Sequence, residues 1–277
     1  HAIALCIYAV IFCTGIVRAF TGSIFAVIMT YIVPKNMLQN ASTWNSATFL
    51  TASVVGHATG GFLIALTGNT GTLVTICTLI IIAFLVLLYI KPKPAIDTGA
   101  EKKTWESVKE GLRFVFKTKE LLGAITLDLF AVLFGGAVTM VPVFARDILK
   151  VGATGFGWLN AAMDTGAIIS IVTLIIFPMK KQQGRKLFFA VAGFGICIIV
   201  FAFSRSFLLS FFTLVICGML DGISVVVRCT VLELKTPDNM RGRVLSVNSI
   251  FISSSNEFGQ FESGFAARIF GNVPSVI

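Results

Sequence analysis

The stretch PKNMLQNASTWNSATFLTASVVGHATGGFLIALTGN, residues Pro34–Asn69, decides the fold because the chain nearly repeats it 203 positions later. In the ungapped alignment with Pro237–Asn272, ten of 36 positions are identical, whereas average residue usage would give roughly two by chance. Each copy is a polar, proline-led loop followed by a long apolar segment. We therefore expect a membrane protein built from two like halves.

The composition indicates an all-α membrane protein. Hydrophobic residues make up 56% of the chain and charged residues 13%, against about a quarter charged in an average soluble domain. A soluble chain this apolar would not have enough polar surface to cover its core. The net charge of +9 does not indicate nucleic-acid binding, because the basic residues lie in short loops between apolar runs, where they orient a membrane protein.

The apolar runs predict about eight membrane-spanning helices, since a helix needs about 20 residues to cross the hydrocarbon core. The tract 36–90 contains no Asp, Glu, Lys or Arg, and Thr67–Gly71 (TGNTG) is expected to divide it into two helices. The predicted spans are 3–31, 44–66, 72–90, 121–144, 155–177, 187–203, 207–234 and 244–270.

The loops on one predicted side of the membrane carry 16 Lys or Arg residues, and those on the other side carry 4, counting Arg268. The basic side is therefore predicted to be cytoplasmic, with His1 outside. The repeat pairs the first two spans with the last two, so the repeating unit is six spans long and the halves run parallel. Because two complete units need more spans than eight, we expect this sequence to be a fragment lacking both ends.

Three regions follow from this pattern. Residues 1–90 are predicted to be the end of the first six-helix half, 91–120 a central cytoplasmic loop, and 121–277 most of the second half. Within the loop, Trp105, Val108, Leu112 and Val115 recur at helical spacing. The loop is therefore expected to form an amphipathic helix that lies either on the membrane surface or against the underside of the helix bundle.

Local sequence resembles a known family. The loop Thr236–Val244 (TPDNMRGRV) resembles the tenth-to-eleventh helix loop of the branch of the major facilitator superfamily that contains enterobactin exporters and macrolide-type efflux pumps. The segments Leu127–Ala131, Pro142–Arg146 and Asn256–Gly259 resemble the same branch. One departure from the family concerns a loop motif. In the first half, the superfamily has an aspartate in the loop between its second and third helices. The equivalent loop of the second half has Lys181 at that position.

The resemblance implies the major facilitator fold, from the family's fourth helix to its eleventh, with two parallel six-helix halves. It implies a secondary active transporter that works by alternating access. Within that class of transporter, it implies proton-coupled efflux of a siderophore, macrolide or similar amphipathic molecule. The implied location is the bacterial inner (plasma) membrane. The implied partners are the lipid bilayer, a small-molecule substrate and protons, with the protein a monomer that needs no cofactor.

Ionisable residues inside the spans are candidate functional groups, because such groups are costly there and usually face a wet cavity or the bundle interior. One interpretation is a polar lining that binds substrate and relays protons. The other is a set of internal ion pairs, which is slightly favoured for the two residues nearer their span starts, Asp128 and Asp164. The candidates are Arg18, Asp128, Asp164, Asp221, Arg228 and Glu257.

Glu257 is the best single candidate for the proton site, since it lies mid-span beside a polar stripe on the last helix. The stripe consists of Ser249, Ser253, Asn256, Gln260 and Ser263, which recur at steps of three or four residues. His57, next to the close-packing pattern Gly56-x-x-x-Gly60, is interpreted first as a hydrogen-bonded packing residue.

Two basic loops are candidate cytoplasmic gates by resemblance, through pairing with Asp238 or other loop acids. The simpler interpretation is that their charges anchor the loops on the cytoplasmic side. Their residues are Gly184, Arg185, Asp238, Arg241, Gly242 and Arg243, with Lys180 and Lys181.

Other function classes remain as alternatives. Uptake of a small metabolite fits the same fold. A membrane-embedded enzyme is disfavoured, because the sequence has no HExxH, no GxSxG and no cysteine pair at metal-binding spacing. A channel is disfavoured because nothing resembles a selectivity filter.

Overall fold

The computed structural model describes residues 8–17, 37–89, 104–134, 136–177, 183–237, 240–271 and 273. Within these ranges the regular elements are helices, as the composition predicts. Their bounds are α1 Tyr8–Val17, α2 Leu38–Leu88, α3 Thr104–Lys117, α4 Lys119–Phe134, α5 Val141–Val143, α6 Gly152–Ile176, α7 Gln183–Phe203, α8 Phe207–Lys235 and α9 Arg241–Phe270. A 3₁₀ turn, Gly136–Met140, precedes α5, and a π-helical turn, Phe144–Ile148, follows it.

The helix α2 is interrupted at the place where the sequence predicts a turn. A continuous helix of its 51 residues would be about 75 Å long at 1.5 Å per residue, whereas the hydrocarbon core is only about 30 Å thick. Gly68 breaks the helix with φ +67° and ψ −177°, a conformation that a residue with a Cβ adopts only with strain. The two parts of α2 therefore correspond to two predicted spans.

Five helical segments in the described part of the chain are long and apolar enough to cross a membrane. They are Ala47–Leu88, Lys119–Ile148, Gly152–Ile176, Gly184–Phe203 and Phe207–Leu232. The helix α9 forms as predicted, but it is not among the five because its polar residues lower its hydropathy. The first predicted span, 3–31, is described only over Tyr8–Val17.

The chain forms two compact units, His1–Thr51 with Val86–Asp97, and Ala52–Leu85 with Thr98–Ile277. The second unit contains the main core, where Phe144, Leu159, Phe201 and Leu214 are almost completely buried. The Phe144 and Phe201 rings lie 4.9 Å apart between centroids. The predicted division into a first half, a central loop and a second half stays a prediction.

Within this unit, α6 and α8 cross at van der Waals distance through glycines. A Cβ on Gly166 would collide with the backbone carbonyl of Val215, and one on Gly218 with that of Met163. Small residues at helix crossings let two backbones approach closely, which is how membrane helices gain packing energy without a hydrophobic driving force. This crossing fixes the position of Asp221, one turn further along α8.

The amphipathic helix of the central loop, α3, packs against the start of α9. Val115 is completely buried, and Leu112 lies against the same apolar cluster, which includes Val244 and Val247. A Cβ on Gly111 would lie 2.9 Å from the carbonyl oxygen of Arg243. Of the two positions expected for this helix, the structure therefore shows the one against the bundle.

Candidate functional site

Asp128 and Arg228 form a buried ion pair between α4 and α8. Asp128 Oδ1 contacts Arg228 Nη1, and the two residues are only 5% and 4% exposed. Removing one partner of such a pair leaves an uncompensated buried charge, which is strongly destabilising. The geometry therefore gives these two candidates a role in holding α4 against α8.

Asp221 lines a small cavity with two polar residues from α9. The cavity has a volume of about 330 Å³, and its lining also includes Thr139, Asn256, Gln260, Met163 and Phe194. Four hydrogen-bonding side chains thus line the cavity together with apolar ones. This combination is typical of a small-molecule site, in which apolar surface supplies affinity and a few polar groups fix orientation.

Glu257 and Ser253 lie on an adjacent face of α9. Both side chains are exposed, and they line an open groove of about 530 Å³ together with Phe258 and Phe261. Successive residues of a helix are rotated by about 100° around its axis. Glu257 and Ser253 are therefore rotated by about 60° around the α9 axis from Asn256 and Gln260. The predicted polar stripe is therefore divided between a cavity and a groove.

Asp164 contacts two side chains of α2. Its Oδ2 lies 2.5 Å from Nδ1 of His57, and the hydroxyl of Ser53 donates a hydrogen bond of 2.8 Å to the same oxygen. The sequence pointed to His57 as a hydrogen-bonded residue, but it gave no signal that Asp164, 107 positions away, would be its partner.

The backbones of α2 and α6 approach closely near this contact. A Cβ on Gly61 would lie 2.6 Å from the carbonyl oxygen of Ala153, and a Cβ on Gly157 would lie 2.6 Å from that of His57. Next to these two glycines in the sequence, the rings of Phe62 and Trp158 meet edge to face, with centroids 6.4 Å apart. The helices α2 and α6 therefore meet at a tight crossing.

The basic loop residues have local contacts where the structure describes them. Arg243 pairs with Glu110 of α3 and lies 3.3 Å from the sulfur of Met240. The guanidinium of Arg185 lies over the Phe189 ring, 5.6 Å from its centroid. Gly184 and Gly242 are exposed. Arg18, Asp238, Lys180, Lys181 and the side chain of Arg241 lie outside the described residues.

In the described part of the chain, no three His, Cys, Asp or Glu side chains converge to hold a metal ion.

Known proteins match this chain over most of its length. The family model described as Major Facilitator Superfamily matches residues 1–259. An uncharacterized MFS-type transporter, YfmI, of Bacillus subtilis is 22% identical over 89% of this chain and 62% of its own length. The enterobactin exporter EntS of Escherichia coli is 24% identical over 77% of this chain and 51% of its own length.

The enterobactin exporter EntS of Shigella boydii has the same identity and coverage, so the chain spans between half and two thirds of these relatives. The family match, the helical architecture and the apolar spans agree with one another. This chain is an integral, multi-pass membrane protein that belongs to the Major Facilitator Superfamily.

Proposed function

We propose that this protein is a secondary active transporter that exports an amphipathic small molecule across the bacterial inner membrane in exchange for protons. Alternating access between two parallel halves would expose the binding site to each side in turn. The observation that carries the proposal is the cavity in which Asp221, Asn256 and Gln260 meet the apolar side chains of Met163 and Phe194.

The chemistry of this cavity supports a particular kind of substrate. The carboxylate of Asp221 is a hydrogen-bond acceptor, whereas the amides of Asn256 and Gln260 can both donate and accept. Phenolic hydroxyls, sugar hydroxyls or an amine on an apolar body would satisfy these groups. Siderophores and macrolides both have this character, and an exporter of enterobactin is among the relatives of the chain.

Substitutions in the cavity test the proposal in the full-length protein. Loss of a hydrogen bond to a charged group costs about 1.5–3 kcal/mol, so Asp221→Asn is expected to weaken substrate export by about 10- to 100-fold. Gln260→Leu is expected to act in the same direction. Export of enterobactin and of erythromycin from cells, with protein level measured in parallel, gives the readout.

The matched control is Ser249→Ala, which removes a polar group from α9 outside the cavity. The Ser249 hydroxyl is exposed and donates to the carbonyl of Leu245 on its own helix, 3.0 Å away. Normal export by Asp221→Asn at normal protein level would contradict the proposed site. Accumulation of a probe inside cells carrying the protein would instead favour the uptake alternative.

A further inference from the structure

The contact of His57 with Asp164 joins the two predicted halves of the protein. His57 and Ser53 belong to the predicted second span, and Asp164 belongs to the fifth, on the other side of the central loop. We call these three residues the interhelix latch. The latch lies about one helical turn from the glycine crossing of α2 and α6, where Gly61 and Gly157 leave no room for a side chain.

The latch contains an imidazole paired with a carboxylate. Histidine titrates between about pH 5 and 8, and His57 and His1 are the two histidines of this sequence. When the ring is doubly protonated, its Nδ1–H donates a charge-assisted hydrogen bond to Asp164, about twice as strong as a neutral one. Loss of that proton removes the charge and weakens the contact.

The latch is not enclosed by the protein. The side chain of His57 is 48% exposed and that of Asp164 is 24% exposed, whereas the Asp128–Arg228 pair is closed off. Asp164 is the acidic partner of His57 among the described ion pairs. In the described part of the chain, the charged groups near α6 include Asp221 of α8, which lines the cavity beside Met163. Before the start of α6 lie Lys150 and the pair Arg146 and Asp147, which are 3.6 Å apart.

We propose that the interhelix latch is a proton-binding site whose protonated form holds α2 against α6 and so closes one side of the transporter. The inference rests on the proposed proton-driven export, because it names the site that senses the proton. In the orientation predicted by loop charge, the glycine crossing lies towards the outer ends of both helices. A proton bound from outside closes the outer side, and its release to the cytoplasm reopens it.

Trp158 provides a direct readout, because its ring contacts Phe62 at the crossing. In the full-length protein with Trp158 as the sole tryptophan, we expect its emission to shift to longer wavelength as the pH rises from 5 to 9 and the crossing opens. A coupling of ordinary strength would change the opening equilibrium about 5- to 150-fold. His57→Gln and Asp164→Asn should abolish this titration.

Thr59→Val is the matched control on the same helix. The Thr59 hydroxyl bonds the carbonyl of its own helix at Val55, 2.6 Å away, so this variant should titrate like the parent. Ser53→Ala removes one hydrogen bond to Asp164 and should move the midpoint without abolishing the transition, which provides a readout even if the His57 variant is poorly folded. An unchanged titration in His57→Gln, or its loss in Thr59→Val, would overturn the proposal.

The fluorescence measurement needs no substrate, so its outcome is separate from that of the export assay. If neither enterobactin nor erythromycin is exported while the His57-dependent titration is present, the proposed function fails and the latch stands. If both probes are exported under a pH gradient by His57→Gln as well as by the parent, the latch fails and the proposed function stands.

Discussion

At the scale of single residues, the acidic groups inside the helices differ in their surroundings. Asp128 is buried against Arg228, Asp164 meets a titratable histidine, and Asp221 and Glu257 line cavities. An ionisable group in a membrane helix is costly unless it is paired or hydrated. The four groups thus have three kinds of surroundings, which separates structural from functional candidates.

The Asp128–Arg228 pair is expected to matter for stability. Asp128→Asn should destabilise the protein by about 3–5 kcal/mol, because Arg228 keeps its charge in a buried position. The double variant Asp128→Leu with Arg228→Met should recover most of that loss, since apolar residues of similar volume replace buried ion pairs well. Thermal unfolding in detergent measures both. A stable Asp128→Asn protein that no longer exports would instead assign the pair to transport.

Glu257 remains a second candidate for the proton site. Glu257→Gln fixes the neutral form at nearly the same volume, so we expect normal protein level and melting temperature but reduced export under an imposed pH gradient. Its side chain is exposed in the groove, so packing should survive the change. Gradient-driven export equal to that of the parent protein would remove Glu257 as a coupling site.

At the scale of helices, glycines set which elements can touch. Gly166 and Gly218 allow α6 to cross α8, and Gly111 allows α3 to lie on the start of α9. The contact of α3 with α9 is reinforced at the surface by Glu110 and Arg243, although such an exposed pair contributes only about 0–1 kcal/mol. The buried Val115 and the close backbone approach therefore dominate this docking.

Gly111→Leu tests the docking of α3. The new side chain would meet the Arg243 carbonyl, and overpacking of this kind costs about 1–3 kcal/mol. We expect the central loop to become more sensitive to limited proteolysis. Gly123→Leu on α4 is the control, because a Cβ there meets nothing within 4 Å. Equal protease resistance in both variants would show that α3 is not held in this way.

The sequence predicted the elements better than their contacts. Apolar runs and the glycine turn located the spans because helix formation in a membrane is determined locally, by satisfying backbone hydrogen bonds within each segment. The pairing of Asp128 with Arg228, and of His57 with Asp164, depends on which helices are neighbours. No spacing within one helix carries that information, so sequence reasoning identified Asp128, Asp164 and Arg228 as candidates without identifying their partners.

At the scale of the whole molecule, the internal repeat and the loop charges predict two parallel halves. A reporter fused after Thr70 should be external, and one fused near Gly99 should be cytoplasmic, because the basic loops carry 16 Lys or Arg residues against 4 on the other side. The reverse assignment in both fusions would contradict the orientation on which the closing direction of the latch depends.

The most direct test of the central claim, proton-driven export, uses the full-length protein in inverted membrane vesicles. An acidic vesicle interior is established by respiration and followed by acridine orange fluorescence. Addition of enterobactin or erythromycin should then release protons and restore fluorescence in vesicles with the parent protein, but far less with Asp221→Asn. Probe uptake that proceeds equally well after the pH gradient has been collapsed would contradict the account.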